Sequence, residues 1–560
     1  MAEFTVLIVG GYGIFGGRLV DLLADEPRLK LIVGGRSLEK ARAFSARRKA
    51  AAAELVPARI DRNGNVGSLL AEWKPDILVD ATGPFQAYGD DPYRLVKACL
   101  SHGIGYLDFA DGSAFARGIA EFDAEAKARG VFVLSAVSSF PVLTAAVIRR
   151  LGEGFSHVDE VEAGIAPSPF AGVGPNVIRA IASYAGRPVE LRRHGAKLLA
   201  HGLTESRRFV IAVPGRLPLH SRRFSLVDVP DLQMIPDAMP ELKSIWVGAA
   251  PVPEIFLRAL NVLSILVRYR LFPGLLRLAP VFDFVINHFR WGEHRGGMYV
   301  EARGRDKDDK PLVRSWHLLA EGSDGPLIPS MAIAALIRKT LDGMSPAAGA
   351  RVATDALELT DYDPVFKNRT IYTGIRNDTE DGRAGLYQRI LGTAWDRLPE
   401  PIRRLHTIEH VGLHSGKAIV DRGSGLIARF IAGLYGFPEA GSDVPVTVRL
   451  EKAASGEIWQ RTFAGRIFRS YQAPGRGSSR HLIEERFGPI TVGLALVEQD
   501  GRLGYIVRGW KFLGIPMPRF LAPGGSTHEH AADGRFHFHV EIAHSWFGLI
   551  VRYRGWLEAD

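Results

Sequence analysis

One cysteine, Cys99, stands in 560 residues. A single thiol excludes an intrachain disulfide framework and any metal site built from several cysteines. In the apolar helical pattern YRLVKACL it reads as a packing residue. Long hydrophobic runs are missing as well. The greasiest stretch, Ile255 to Phe289, is interrupted by Arg258, Arg268, Arg270 and Arg277 and broken at Pro273 and Pro280. It therefore lacks the roughly 20 unbroken apolar residues of a membrane span. No helix-turn-helix, zinc-finger or RNA-binding signature occurs. The net charge of +9 is spread along the chain rather than massed, so no nucleic-acid partner is expected. No G-x-S-x-G elbow links a strand to a helix, which leaves a hydrolase without support. No signal peptide precedes the first strand, which Phe4 already enters, and this predicts a cytoplasmic protein.

What is present is ordinary in bulk. Hydrophobic residues make up 46% and charged residues 23%, as in soluble globular proteins, and the length suits two or three domains. The organising stretch is TVLIVGGYGIFGGRLVDLLA, Thr5 to Ala24. Val6 to Gly10 carry no charge and predict a strand buried on both faces. Gly11, Tyr12, Gly13, Ile14, Phe15 and Gly16 then fit G-x-G-x-x-G. Leu19, Leu22 and Leu23 follow on one face of a helix. Strand, glycine turn and helix in this order form a dinucleotide-binding fingerprint. Gly11 permits the tight turn, Gly13 lets backbone approach a pyrophosphate, and Gly16 lets helix and strand pack closely. The helix N-terminus offers free N–H groups to the phosphates.

The second strand, LKLIVGG, ends at Gly35 and is followed by Arg36 and Ser37. An NAD-selective site places an acid near this strand end. Here a planar cation and a hydroxyl stand there instead, suited to a phosphate, so NADP(H) is the expected cofactor. Further strands are predicted over LVPARID, where Asp61 reaches an adenine position, and over ILVDATG, GIGYLDFADG and Val131 to Ala136. Helices lie between them. This alternation predicts an α/β protein with a Rossmann-type doubly wound parallel sheet. Thr82, Gly83, Pro84 and Phe85 sit at a strand's carboxyl end and would hold the nicotinamide ribose and ring. Hydride transfer also needs a proton donor or acceptor near the reacting atom. Tyr88, Asp108 and His102 are close in sequence; Tyr88 and Asp108 are the catalytic candidates, Tyr88 first as proton relay.

VDATGPFQAYGDDPYRLVKACLSHGIGYLDFADG resembles the saccharopine-dehydrogenase-like family of NADP-binding oxidoreductases. The resemblance rests on Gly11 to Gly16, Arg36, Gly83-Pro84-Phe85 with Tyr88-Gly89, and Tyr106-Leu107-Asp108. SAVSSFPVLTA, Ser135 to Ala145, resembles the family's next strand and loop, with Val137 and Ser138 departing from its pattern; Ser139 and Pro141 would border a substrate pocket. SPAAGARVATDALELTDYDPVF matches the family's closing segment, so the likeness runs from Thr5 to about Phe366. It implies an NADP(H)-dependent oxidoreductase with an α+β substrate and dimer domain.

The domains are expected at 1–150 for NADP binding and at 151–366 for substrate and dimerisation, with 327–366 as the return segment. A linker follows at 367–383, with turn material at Asn377, Asp378, Asp381 and Gly382, and then a β-rich domain at 384–560. The last region resembles a β-rich domain of unknown function that recurs after saccharopine-dehydrogenase-like domains. The likeness rests on YQRILG, Leu405-His406, WQRTFAG, Ile515 to Pro518 and YRGWL. Asp500-Gly501 and Asp533-Gly534 predict hairpins. His528, His530, His537, His539 and His544 cluster near the end, but spacing of two on a polar strand face is common and no metal is expected.

Two readings of Ile255 to Phe289 stay open. It forms buried helices lining a substrate cavity or a homodimer interface, or it forms an arginine-flanked helix pair. That pair would dock peripherally on an anionic membrane, at its inner face, and admit a lipid-like substrate. The substrate is accordingly a small or lipid-like molecule. The rival from another class is a non-catalytic NADP-binding sensor or a lipid- or protein-binding module.

Overall fold

The computed structural model describes residues 4–172, 174–379 and 384–560. The chain forms two compact units, one made of Met1–Arg207 with Arg223–Tyr372, the other of Arg208–Arg222 with Thr373–Asp560. Each unit borrows from both sides of a sequence break, which the linear division at 366 and 383 did not anticipate.

In the first unit, strands β1 (Phe4–Val9), β2 (Leu29–Gly35), β3 (Glu54–Arg59), β4 (Ile77–Asp80), β5 (Gly105–Asp108) and β6 (Phe132–Ser135) pair in parallel. The return strand Gly349–Val352 adds to β6, giving the order return strand, β6, β5, β4, β1, β2, β3. Helices cover both faces, so the strands read as continuous apolar runs; Val6, Leu7, Ile8, Leu31 and Val33 are buried. Strand order reverses between β1 and β4, and ligands bind in the crevice outside the carboxyl ends at such a switch point. Helix α1 (Ile14–Leu23) starts there. Between β5 and β6 lie two short helices, Ser113–Gly118 and Asp123–Arg129, joined by a tight turn at Ile119–Phe122.

The rest of the unit is a mixed sheet with central order Arg222–Leu226, Ser244–Ala249, Phe155–Ala166, Arg295–Asp306 and Pro311–Glu321. The last two form a hairpin, paired from Arg295↔Glu321 to Arg305↔Pro311. In SRRFVIAVPG the strand is regular only over Ser206–Phe209. The greasy segment is two helices, Glu254–Arg268 and Ala279–His288. Among the described residues no helix is long and apolar enough to cross a membrane.

Within the stretch read as linker, Ile371–Asn377 is a β-strand, where the alternate β-branched Ile371, Thr373 and Ile375 outweigh the turn chemistry around them. Asp381 and Gly382 lie outside the described residues. The second unit is a closed antiparallel barrel of ten strands. They run in the order Ile490–Gln499, Ile483–Phe487, Arg466–Pro474, Gly456–Phe463, Gly441–Ala453, Val411–Arg422, Gly548–Ala559, Arg535–His544, Thr527–Ala532 and Arg502–Phe512. Pairing of Arg502–Phe512 back to Ile490–Gln499 completes the ring. Both Asp-Gly pairs form the expected hairpins, closing Gln499↔Arg502 and Ala532↔Arg535. Gly416 and Gly555 let two strands approach at a bend: a Cβ on Gly416 would lie 1.9 Å from the Trp556 carbonyl. Arg208–Arg222 is tied into this unit, with Arg376 Nε donating to the Ala212 carbonyl at 2.6 Å and the Glu498 amide to that of Gly215 at 2.9 Å.

Candidate functional site

The turn after β1 is built around two close approaches. Gly10, one residue ahead of the motif as read, takes the left-handed conformation (φ +87°), and a Cβ there would meet the Ala81 carbonyl oxygen at 2.7 Å. The tight turn thus falls on Gly10 rather than Gly11. Gly16 packs α1 against that turn, since a Cβ would sit 2.3 Å from the Gly10 carbonyl oxygen. The amides of Ile14, Phe15 and Gly16 head α1, where a helix has no acceptors of its own to offer. They open on a cleft of about 670 Å³ lined by Gly10, Tyr12, Gly13, Ile14 and Phe15 and by the turn Thr82 to Phe85.

Cleft walls come from all three strand ends expected to supply them. Arg36 stands exposed at the end of β2 and lines the cleft, as does Asp61 beyond β3. Between them Tyr12 folds its ring against Gly35, where a Cβ would come within 2.3 Å of it. The Tyr12 hydroxyl accepts the Ser37 amide at 3.0 Å. A larger side chain at Gly35, acidic or otherwise, would expel this ring. Ser37 differs from expectation. Its Oγ caps the helix Leu38–Ala46 by accepting the Lys40 amide at 3.3 Å, and it does not line the cleft.

Opposite, a hydrogen-bonded cluster fixes the Thr82–Phe85 turn. Asp80 is buried and its Oδ1 accepts the Thr82 hydroxyl at 2.6 Å and the Thr82 amide at 3.0 Å. The Tyr88 hydroxyl donates to Asp80 Oδ2 at 3.1 Å and lies 2.7 Å from Thr82 Oγ1. Asn176 Nδ2 donates to the Gly83 carbonyl at 3.0 Å, tying the turn to helix Pro175–Tyr184. Arg62 lies over the Tyr88 ring at 3.5 Å from its centroid. Burial, and then Asp80, hold the Tyr88 phenol well above its ordinary pKa. Its proton is committed to Asp80, the setting of an anchor for the turn rather than of a proton relay.

Asp108 also takes a different role. It is fully buried, and its Oδ1 accepts the Ala110 and Ala136 amides at 2.9 and 2.8 Å and the Ser135 hydroxyl at 3.0 Å. Burial pushes its carboxyl up to about 7. It joins the ends of β5 and β6, while Asp111, three residues on, is the carboxylate that faces the cleft and accepts Gln86 Nε2 at 3.1 Å. His102 is exposed at a helix end, its Nδ1 2.9 Å from the Ala98 carbonyl. Ser139 and Pro141 are buried and line neither this cleft nor the cavity beside it. The loop turns inward because the Ser138 hydroxyl donates to the Pro329 carbonyl at 3.2 Å. Asp80, Arg62, Asp111 and Asn176 were not singled out from sequence. Asp80 carried a signal, as an acid ending a buried strand.

That neighbouring cavity, about 520 Å³, shares Ile14, Phe15, Gly174 and Val177 with the cleft. Its far wall is the inner face of the helices Glu254–Arg268 and Ala279–His288, with Phe256, Leu260, Leu263, Phe282 and Val285. Only Arg18, Ser168 and Tyr184 among its lining residues have polar side chains. Arg18 Nη2 donates to the Ala171 carbonyl at 3.2 Å. One face of the segment thus lines this cavity. The other face is exposed: Ile255, Val262, Tyr269, Leu271, Leu276, Phe284, Phe289 and Trp291 are each about half or more open to solvent. Arg258 is paired with Glu254 at 2.7 Å.

On the barrel, His528 stacks on His539 with ring centroids 4.9 Å apart, and His530 lies across from His537 at 5.3 Å. These rings face outward, and Phe536 and Phe538 face in, the alternation expected from sequence.

No curated protein matches the chain. Residues 6–134 match the saccharopine dehydrogenase NADP binding domain, and residues 398–557 match a domain of unknown function (DUF4166). Saccharopine dehydrogenase (L-Glu forming) from Saccharomyces cerevisiae superposes with TM-score 0.47 at 12% identity, covering 66% of this chain and 99% of that one. A myo-inositol dehydrogenase from Corynebacterium glutamicum gives 0.31 at 11%, covering 61% and 90%. The WlbA dehydrogenase from Thermus thermophilus, solved with NAD and alpha-ketoglutarate, gives 0.29 at 13%, covering 64% and 94%. The chain thus carries a region that matches the saccharopine dehydrogenase NADP binding domain, followed by one that matches a domain of unknown function.

Proposed function

We propose that this protein transfers a hydride between NADP(H) and an apolar, lipid-like substrate. The observation that carries the reading is the shared wall of Ile14, Phe15, Gly174 and Val177, where a dinucleotide-sized cleft meets an almost wholly apolar cavity. A bound nicotinamide cofactor supplies the hydride. The chain's own residues bind and orient: the amides at the head of α1 and Arg36 take phosphates, Asp61 the adenosine side, and the Thr82–Phe85 turn the nicotinamide ribose and ring. The apolar cavity excludes water from the reacting carbon, and Asp111 is the cleft carboxyl placed to exchange a proton. NADPH oxidation against carbonyl and enoyl compounds of increasing chain length tests this. Turnover rises with length. Leu260→Trp, which fills the cavity, lowers kcat/KM for the longest substrate by about tenfold or more, the loss of a hydrophobic contact area of that size. It leaves NADPH affinity unchanged. Tight NADPH binding with no oxidation by any compound decides for the non-catalytic sensor.

Cofactor choice has its own expected outcome. Arg36→Ala weakens NADPH binding by about 1.5–3 kcal/mol, the worth of a charged hydrogen bond, and leaves NADH binding unaltered. Calorimetric titration of both cofactors measures it. Equal losses would take Arg36 away from the 2′-phosphate.

A second reading concerns the outer face of the same two helices. Apolar side chains there are interspersed with the exposed Arg268, Arg270 and Arg277, and we propose that this face docks on anionic lipid, next to the cavity that would receive the substrate. A cytoplasmic protein would do so at the inner face of the membrane.

A further inference from the structure

The barrel of the second unit has an interior of its own. Eight antiparallel strands enclose just enough width for side chains to fill or for one small ligand, and the width grows with strand number. Ten strands here leave a cavity of about 400 Å³, within the roughly 300–1,000 Å³ typical of small-molecule sites. Its walls are largely apolar, with Val448, Phe463, Val492, Leu494, Phe538 and Tyr553 among them.

One wall carries two hydrogen-bonded groups, whose Tyr505 and Tyr387 hydroxyls lie 3.4 Å apart. His406 Nε2 lies 2.7 Å from Glu529 Oε2, and the Tyr505 hydroxyl donates to Glu529 Oε1 at 2.8 Å. The Tyr387 hydroxyl donates to Gln472 Oε1 at 2.8 Å, and Gln472 Nε2 to Glu485 Oε1 at 3.1 Å. Glu485 Oε1 accepts the Ser470 hydroxyl as well, at 2.7 Å, and Arg461 Nη2 at 3.3 Å. A network serving only the fold would satisfy its own members and be packed over. This one does not. Glu485 is 8% exposed and lines the cavity, yet its Oε2 receives no hydrogen bond from any described residue. That oxygen opens on an otherwise largely apolar space, so the site favours a ligand that brings a donor.

The charge of the wall selects among such ligands. Glu485 and Glu529 line the cavity against one guanidinium, that of Arg461. A carboxylate head would meet net negative charge in a low-dielectric space. We propose that the barrel binds one neutral, largely hydrocarbon molecule ending in a hydroxyl, the hydroxyl donating to Glu485 Oε2 and the hydrocarbon lying along the apolar wall.

The test uses the full-length protein with 1-dodecanol and dodecanoate, which differ only in the head. Native mass spectrometry counts bound molecules, and fluorescence of Trp459 and Trp510, both on the cavity wall, gives affinity. One dodecanol binds per chain, and dodecanoate binds at least about tenfold more weakly. Val492→Phe with Leu494→Phe narrows the cavity and weakens dodecanol by a similar factor, with melting temperature and NADPH affinity unchanged. Glu485→Gln removes the repelling charge and strengthens dodecanoate; should that variant fail to fold, the cavity-narrowing pair still decides. Absence of bound dodecanol, equal affinity for the two heads, or full binding by the narrowed barrel overturns the proposal.

Discussion

Between about pH 4 and about pH 8, Asp231→Asn gains roughly 4 kcal/mol of stability relative to the unsubstituted protein, whatever the difference at the acid end. Asp231 opens the helix Asp231–Ala238 and is fully buried, and among the described residues neither carboxylate oxygen has a hydrogen-bond partner within ordinary geometry, the Thr144 hydroxyl beside it only partly offsetting the burial. Burial pushes its carboxyl from an ordinary 3.8 up to about 7. The folded state therefore keeps a proton that the unfolded chain has already lost across that interval. This contribution is fully present below about pH 4 and is lost as pH rises through about 7, because ionising the buried group then opposes folding. A shift of about three units, at 1.36 kcal/mol each, gives the figure. Asparagine cannot titrate, so the decline is missing from the variant. Thermal melts of both proteins across the interval measure it, and parallel pH profiles would refute the assignment.

The protein floats with anionic vesicles at low salt, and the charge-reversed pair Arg268→Glu and Arg270→Glu does not. Each exposed arginine near an anionic surface contributes about 1 kcal/mol, so the double reversal costs about 4 kcal/mol or nearly a thousandfold in partitioning. Half-exposed Phe284, Phe289 and Trp291 add apolar insertion that neutral vesicles would also detect. High salt weakens the electrostatic share and leaves the apolar one. Flotation at background level, with a sedimentation mass of two chains, would instead assign this face to a second copy.

The first sheet was legible because its signals are local. Five apolar residues, a glycine turn and an amphipathic helix sit within twenty positions, and each following strand ends beside the same crevice. Facing was less legible. Asp108 and Asp111 differ by three residues in a loop, and only the packing of β5 on β6 turns the first inward to Ser135 and the Ala136 amide. Tyr88 could be placed at the cleft, but its bond to Asp80 depends on a turn geometry that spacing does not encode. In the barrel, alternation and Asp-Gly pairs disclosed strands and hairpins. Ring closure needed Val411–Arg422 to pair with Gly548–Ala559, partners far apart in the chain. Arg461 and Glu485 sit at inward positions among apolar neighbours, the one hint of a polar wall that alternation alone could offer.

The borrowed segment Arg208–Arg222 sets a timetable for synthesis. Val210, Ile211 and Ala212 are buried in a unit whose remaining residues begin at Thr373. They leave the ribosome about 150 residues before that partner sequence, which at 5–20 residues per second is roughly 10–30 seconds. Throughout that interval an apolar strip has no native home. It is therefore the stretch of the nascent chain that a holding chaperone would be expected to occupy.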